Sequence, residues 1–219
     1  MNTRLLPLCL LVLSLVACSS SSPVPDWQMN AKSSLERAAD AWLSGNSAIE
    51  AVEFARARGE VARTGQPELM ARVELLRCAT RVAALVFEPC AGFQTLAADA
   101  TPAEQAYARY LAGQALAADA ALLPEAHRPF AGAMAASEGT LASIKDPLSR
   151  LVAAGVLLQR GLASPAVAAL AVDTASAQGW RRPLLAWLQV QQARAQAGGA
   201  VDEAARIQRR RDLVAPTRK

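Results

Sequence analysis

One histidine, His127, stands in the 219 residues, and that scarcity removes whole classes of chemistry. A two-histidine metal site is excluded, and so is any His-x-x-x-His motif. Because it lies in "PEAHRPF", between prolines, His127 reads as a surface or loop-packing residue. No Gly-x-Ser-x-Gly elbow and no Walker-type phosphate loop occurs. No stretch alternates apolar and polar residues over a useful strand length. The formal charge of +4 is mild and gives no reason to expect nucleic acid. Aromatic residues make up 5% of the chain, so large rings cannot supply most of the packing. Alanine fills that place, with 50 residues. It is the best helix former and lets helices approach closely.

Long apolar runs are also missing, apart from Leu5–Ala17 behind a start carrying one positive charge. At ~1.5 Å per residue such a run spans about 20 Å as a helix, short of the ~30 Å hydrocarbon core. A charged start, a short apolar stretch and small residues at its end describe a secretory signal peptide. The stretch Leu15–Val16–Ala17–Cys18 resembles the lipobox of bacterial lipoproteins. That resemblance implies a diacylglyceryl group on the Cys18 sulfur, cleavage after residue 17 and N-acylation of the new amine, palmitate included. No other cofactor is expected. Ser19, where an inner-membrane retention signal would carry aspartate, implies an outer-membrane protein facing the periplasm. Ser19–Pro25 cannot pack and reads as a tether reaching about 25 Å at most. Removing residues 1–17 takes away Arg4 and no acidic residue, so the charge falls from +4 to +3.

The expected organisation is a signal peptide over 1–17, a lipidated cysteine and tether over 18–26, a helical domain over 27–214 and a basic tail over 215–219. The helical domain reads as all-α. Leu35, Ala38, Ala39 and Trp42 share one helical face, and Gly45–Asn46 breaks that helix. A second helix runs from about Ser47 to Arg63 with Glu50, Glu53, Arg56, Glu60 and Arg63 on its outer face. A third starts near Pro67, buries Leu69, Val73, Leu76, Thr80, Ala83 and Phe87, and stops at Pro89. Thr101–Pro102–Ala103–Glu104 is a capping box with proline at the first helical position. Asp146–Pro147 and Ser164–Pro165 repeat the cap-then-proline device, with Leu148, Leu151, Gly155, Leu158 and Leu162 on one side of the helix between them. Pro183 opens a further helix, and a last one runs from Val201 to about Val214.

Helices of this length joined by short breaks suggest stacked hairpins. An offset of about 36 residues aligns Pro147 with Pro183, Leu148 with Leu184, Val152 with Leu188, Ala168 with Ala204 and Ala171 with Ile207. Leu35, Ala38, Ala39, Trp42, Asn46 and Ala51 early, and Ala204 with Pro216 late, resemble the spacing of tetratricopeptide repeats, though the match is degenerate and Cys90–Lys145 fits no period. A tetratricopeptide-like array and a non-repeating helical bundle both stay open. An array would offer a concave binding face, drawing on Glu36, Arg37 and Asp40 early and on Gln159, Arg160, Gln189 and Gln192 late.

An oxidising compartment makes Cys78 and Cys90 candidates for a disulfide. Geometry resists: a helix running to Phe87 puts Cys78 ~13 Å back along the axis. Three extended residues recover about 10 Å, and the bond wants Cα atoms within about 7 Å, so it requires the helix to end a few residues early or the "EPCAGF" loop to fold back along it. Glu68 with Arg72 reads as a surface pair. Trp42, Trp180 and Trp187 read as core or hairpin packing. Arg181 and Arg182, with Arg206, Arg209, Arg210, Arg211, Arg218 and Lys219, form either a solvated face or a basic patch for an acidic partner, anionic phospholipid or lipopolysaccharide. The expected function is a non-catalytic scaffold that holds a protein partner at the outer membrane. A peptidoglycan-acting enzyme and a small-ligand or lipid carrier are the alternatives.

Overall fold

Local chemistry sets most helix starts. Asn46 Oδ1 accepts from the Ile49 N–H at 3.1 Å, Asp146 Oδ2 from the Ser149 N–H at 2.7 Å and Ser164 Oγ from the Val167 N–H at 3.1 Å. The Glu104 carboxylate reaches back to the Thr101 N–H at 3.0 Å, closing the capping box. Each bond satisfies a backbone donor that the first turn leaves without an intrahelical partner. The computed structural model describes residues 23–135 and 138–215. The signal peptide, Cys18, Ser19 and the tail cations Arg218 and Lys219 lie outside them.

Among the described residues the fold is all-α. The helices are α1 (Asp26–Ser44), α2 (Ser47–Ala62), α3 (Pro67–Ala83), α4 (Ala91–Gln94), α5 (Pro102–Leu111), α6 (Glu138–Ser143), α7 (Pro147–Gln159), α8 (Pro165–Gln178), α9 (Arg181–Ala197) and α10 (Val201–Val214). Two 3₁₀ turns, Ala117–Leu122 and Glu125–Phe130, lie between α5 and α6. None of these helices is long and apolar enough to cross a membrane.

The centre is the pair α3 and α7. Every residue from Leu151 to Leu157 is buried, as befits a helix that is apolar all round. Gly155 lets the two backbones touch: a Cβ there would sit 2.4 Å from the Val82 carbonyl oxygen. The wholly buried Trp187 and Leu188 of α9 join this core. A second, smaller cluster of Ala31, Ala38, Phe54, Val61 and Val73 ties α1 and α2 to the outer side of α3. α7 and α8 pack as neighbours, and α8, α9 and α10 follow in sequence. The positions aligned by the 36-residue offset fall on matching helices: Val152 and Leu188, Ala168 and Ala204, Ala171 and Ile207 are buried, whereas Pro147 and Leu148 are only half-buried opposite buried Pro183 and Leu184. The stack does not stay open, because α1 packs against α9. Simple arrays contact only their neighbours.

Several sequence expectations are corrected. α3 stops at Ala83, with Leu85 in a left-handed conformation at φ 59°, so Phe87 leaves the buried stripe and is exposed. Val73, Thr80 and Ala83 of the expected stripe are buried, joined by Ala71, Leu75, Ala79 and Val82, while Leu69 and Leu76 are only half-buried. That early stop lets the "EPCAGF" loop fold back, and Cys78 is disulfide-bonded to Cys90 with Cα atoms 5.8 Å apart. Glu50 and Glu53 are buried rather than solvent-facing. Arg72 pairs with Glu104 at 2.5 Å, not with Glu68. α9 begins at Arg181, two residues before Pro183. Of the two readings of His127, loop packing holds and the surface reading does not: it is deeply buried in a 3₁₀ turn.

Candidate partner-binding surface

The seam between α1 and α9 gathers most of the residues picked out for binding. Trp180 ends the α8–α9 turn, and its indole Nε1 donates to Asp40 Oδ1 at 2.9 Å. Arg182 donates to the Trp42 carbonyl at 2.9 Å and to Ser47 Oγ at 2.6 Å. The Arg182 guanidinium also lies over the Trp42 ring, 3.6 Å from its centroid, and Arg81 lies over it at 3.3 Å. Trp42 thus contacts two cations, each attracted to the ring's negative face.

Glu50 anchors this arrangement from α2. Its carboxylate accepts from Arg77 Nε and Arg81 Nη2, both at 2.8 Å. A carboxylate buried to this degree needs such partners, because an unpaired buried charge costs several kcal/mol. Burial pulls the Arg81 guanidinium below its ordinary range, and the bond to Glu50 pulls it back up. Burial does the same to Arg182, with Glu50 opposing. One turn further along α2, Glu53 accepts from Arg37 at 2.9 Å and from Arg56 at 2.6 Å. The Arg37 bond holds the Glu53 carboxyl below its ordinary value against burial, and the Arg56 charge adds to the effect.

Beside the seam, α1 and the start of α2 enclose a depression of about 550 Å³. Glu36, Arg37 and Asp40 line it together with Ser33, Asn46 and Ile49. Two carboxylates, Glu36 and Asp40, face one guanidinium, Arg37, which shares Glu53 with Arg56, so the lining is mildly acidic. Glu36 is well exposed and, among the described residues, pairs with Lys32 at 3.8 Å. Ile49, half exposed, adds an apolar wall. An acidic hollow with one apolar wall suits a segment that presents a basic side chain beside an apolar one.

The late half of the expected polar face is dispersed. Arg160 donates to the carbonyls of Phe130 and Ala133 at 3.2 and 2.5 Å. Gln192 is buried and donates to Gln208 at 2.9 Å. Arg181 is exposed and approaches Gly45 at the end of α1. On α10, Arg206 pairs with Glu203 at 2.5 Å, and Arg209 and Arg210 face solvent.

Sequence reasoning missed Trp42 as the centre of the seam and placed Glu50 on the outer face of its helix, though it is buried. One signal was available: Arg77 and Arg81 stand four residues apart, on one helical face that needs a carboxylate opposite. Among the described residues no group of three or more His, Cys, Asp or Glu side chains converges. In comparisons with known proteins, no family model, no curated protein and no solved structure matches the chain.

Proposed function

We propose that this chain is a lipid-anchored outer-membrane protein, facing the periplasm, that acts as a non-catalytic scaffold holding a protein partner during envelope assembly, secretion or pilus biogenesis. The observation that carries this reading is the acidic depression on α1, the helix that follows the tether. α1 begins at Asp26, and eight residues beyond Cys18 reach about 28 Å at most. A partner seated on Glu36 and Ile49 is therefore held close to the membrane surface by a lipid anchor on Cys18.

The glutamates favour a scaffold over a peptidoglycan-cleaving enzyme. A general acid needs a carboxyl raised toward neutral pH. Glu53 is held low by Arg37. Glu104 is pushed up by burial, yet its bonds from Thr101 and Arg72 bring it below the ordinary value. Both are committed to ion pairs that fasten helices together.

The test is crosslinking in intact cells followed by mass spectrometry. Cys18→Ser should abolish palmitate incorporation. Combined Glu36→Lys and Ile49→Asp, both at exposed positions, should weaken the main crosslinked species about tenfold without lowering the melting temperature. Asp40 is left alone because it holds Trp180. Crosslinking unchanged by the double variant, or cleavage of sacculi by the purified protein, overturns the reading.

A further inference from the structure

A second cavity, of about 520 Å³, lies on a different part of the molecule, between α3, α5 and the two 3₁₀ turns. Its walls are apolar: Leu75 and Leu76 of α3, Tyr107 of α5, and Leu122 and Leu123 where the chain passes from one 3₁₀ turn to the next. Leu75 and Leu123 are buried, whereas Leu122 is 42% exposed. An apolar side chain at the mouth therefore remains unburied. The Tyr107 ring is braced by stacking on Tyr110 and His127, with centroids 6.0 and 5.7 Å apart. The wall is thus set before any ligand arrives. Volume and lining match small-molecule sites, which are largely preformed, apolar and served by a few polar groups.

The polar groups at this cavity are Arg72, Glu104 and Arg128. Arg72 and Glu104 neutralise each other through their 2.5 Å bond. Arg128 is held at the rim by its Nε, which donates to the Leu123 carbonyl at 3.0 Å, and among the described residues no carboxylate pairs with it. The rim therefore carries one uncompensated positive charge. A guanidinium fixed by its Nε still presents its Nη donors to a carboxylate. We propose that this cavity binds a single-chain amphipathic monoanion of the fatty-acid class, its alkyl chain against Leu75, Leu76, Leu122 and Tyr107 and its carboxylate on Arg128. A cation is repelled by the rim, and a short carboxylate gains nothing from the apolar walls.

Every core side chain lies between Ala31 and Ile207, so the chain from Ser19 onward retains the whole described fold and can be studied without detergent. Dodecanoate, dodecyltrimethylammonium and acetate are titrated into it by calorimetry. Dodecanoate should bind saturably at one site, and the other two should not bind. Arg128→Gln and Leu122→Asp, both at exposed positions, should each weaken dodecanoate about tenfold with an unchanged melting temperature. The absence of saturable dodecanoate binding, equal binding of the cation, or affinity unchanged in either variant overturns the proposal. Partner crosslinking through Glu36 and Ile49 is a separate readout, so either result can fail alone.

Discussion

Three rings meet where the only histidine is buried. His127 stacks on Tyr110 with centroids 4.8 Å apart and on Tyr107 at 5.7 Å. Its Nε2 meets the Ser149 carbonyl at 3.1 Å, which assigns the proton to that nitrogen. Nδ1 is buried with no partner among the described residues. Burial therefore holds the imidazole neutral and its pKa below the ordinary value, with the Ser149 bond opposing. The unfolded chain takes up a proton near pH ~6.5, and the folded chain resists until lower pH. Stability present above about pH 6.5 is thus lost as pH falls from there toward the folded value. The lowered carboxylates Glu53, Glu104 and Asp119 act only in the acid range around pH 4 and below, so they leave this window to the histidine. His127→Phe keeps a ring in place and removes the proton site. Urea unfolding between pH 5.5 and 7.5 should slope in the wild type and lie flat in the variant, and equal slopes would exclude the histidine as the cause. None of this was legible in "PEAHRPF", because the burying rings come from α5 and the accepting carbonyl from α7.

At the scale of the element, α3 shows what local signals can and cannot say. Caps were legible: Thr101, Asp146 and Ser164 start their helices as read, since a cap needs only residues three positions apart. The end of α3 was not. Pro89 marks a late limit, but the helix stops six residues earlier, where Val86 N–H bonds back to the Arg81 carbonyl at 2.9 Å. Leu85 then takes a left-handed conformation that a leucine adopts only when its surroundings hold it there. The Cys78–Cys90 bond closes a loop around this turn with a sequence separation of 12. Replacing both cysteines by serine should lower stability by about 3 kcal/mol in the chain-entropy model. On unfolded, unreduced wild type neither cysteine should react with a thiol reagent. Two reactive thiols would show the pair unbonded. The segment from Cys90 to Lys145 showed no repeat period for a related reason. Its short helices and 3₁₀ turns are held by distant partners, such as Arg109 with Asp119 at 2.5 Å and Arg160 with Phe130, and short-range periodicity does not record such bonds.

For the whole molecule, hairpin stacking could be read from repeated breaks and from the 36-residue offset, because neighbouring helices bury periodic faces. The closure of α1 on α9 could not, since it depends on one tryptophan between two arginines that lie far apart in the chain. Arg182 contributes two hydrogen bonds and a ring contact to that closure. Arg182→Ala should therefore cost about 1–2 kcal/mol of stability and speed amide hydrogen exchange in α1 while leaving α7 protected. Equal acceleration in both helices would show that the seam does not open by itself. The Trp180–Asp40 bond joins residues 140 apart, whereas α1 and α2 are joined by a two-residue turn. Closure entropy grows by about 0.6 kcal/mol for each doubling of the loop, so forming the seam costs roughly 4 kcal/mol beyond forming one hairpin. Order in time follows from that difference. Hairpins can assemble one after another as the chain emerges, but the ring is completed only once Trp180 and Arg182 are present. Opening the seam alone takes Arg182 from the Trp42 ring and leaves Arg81 on it.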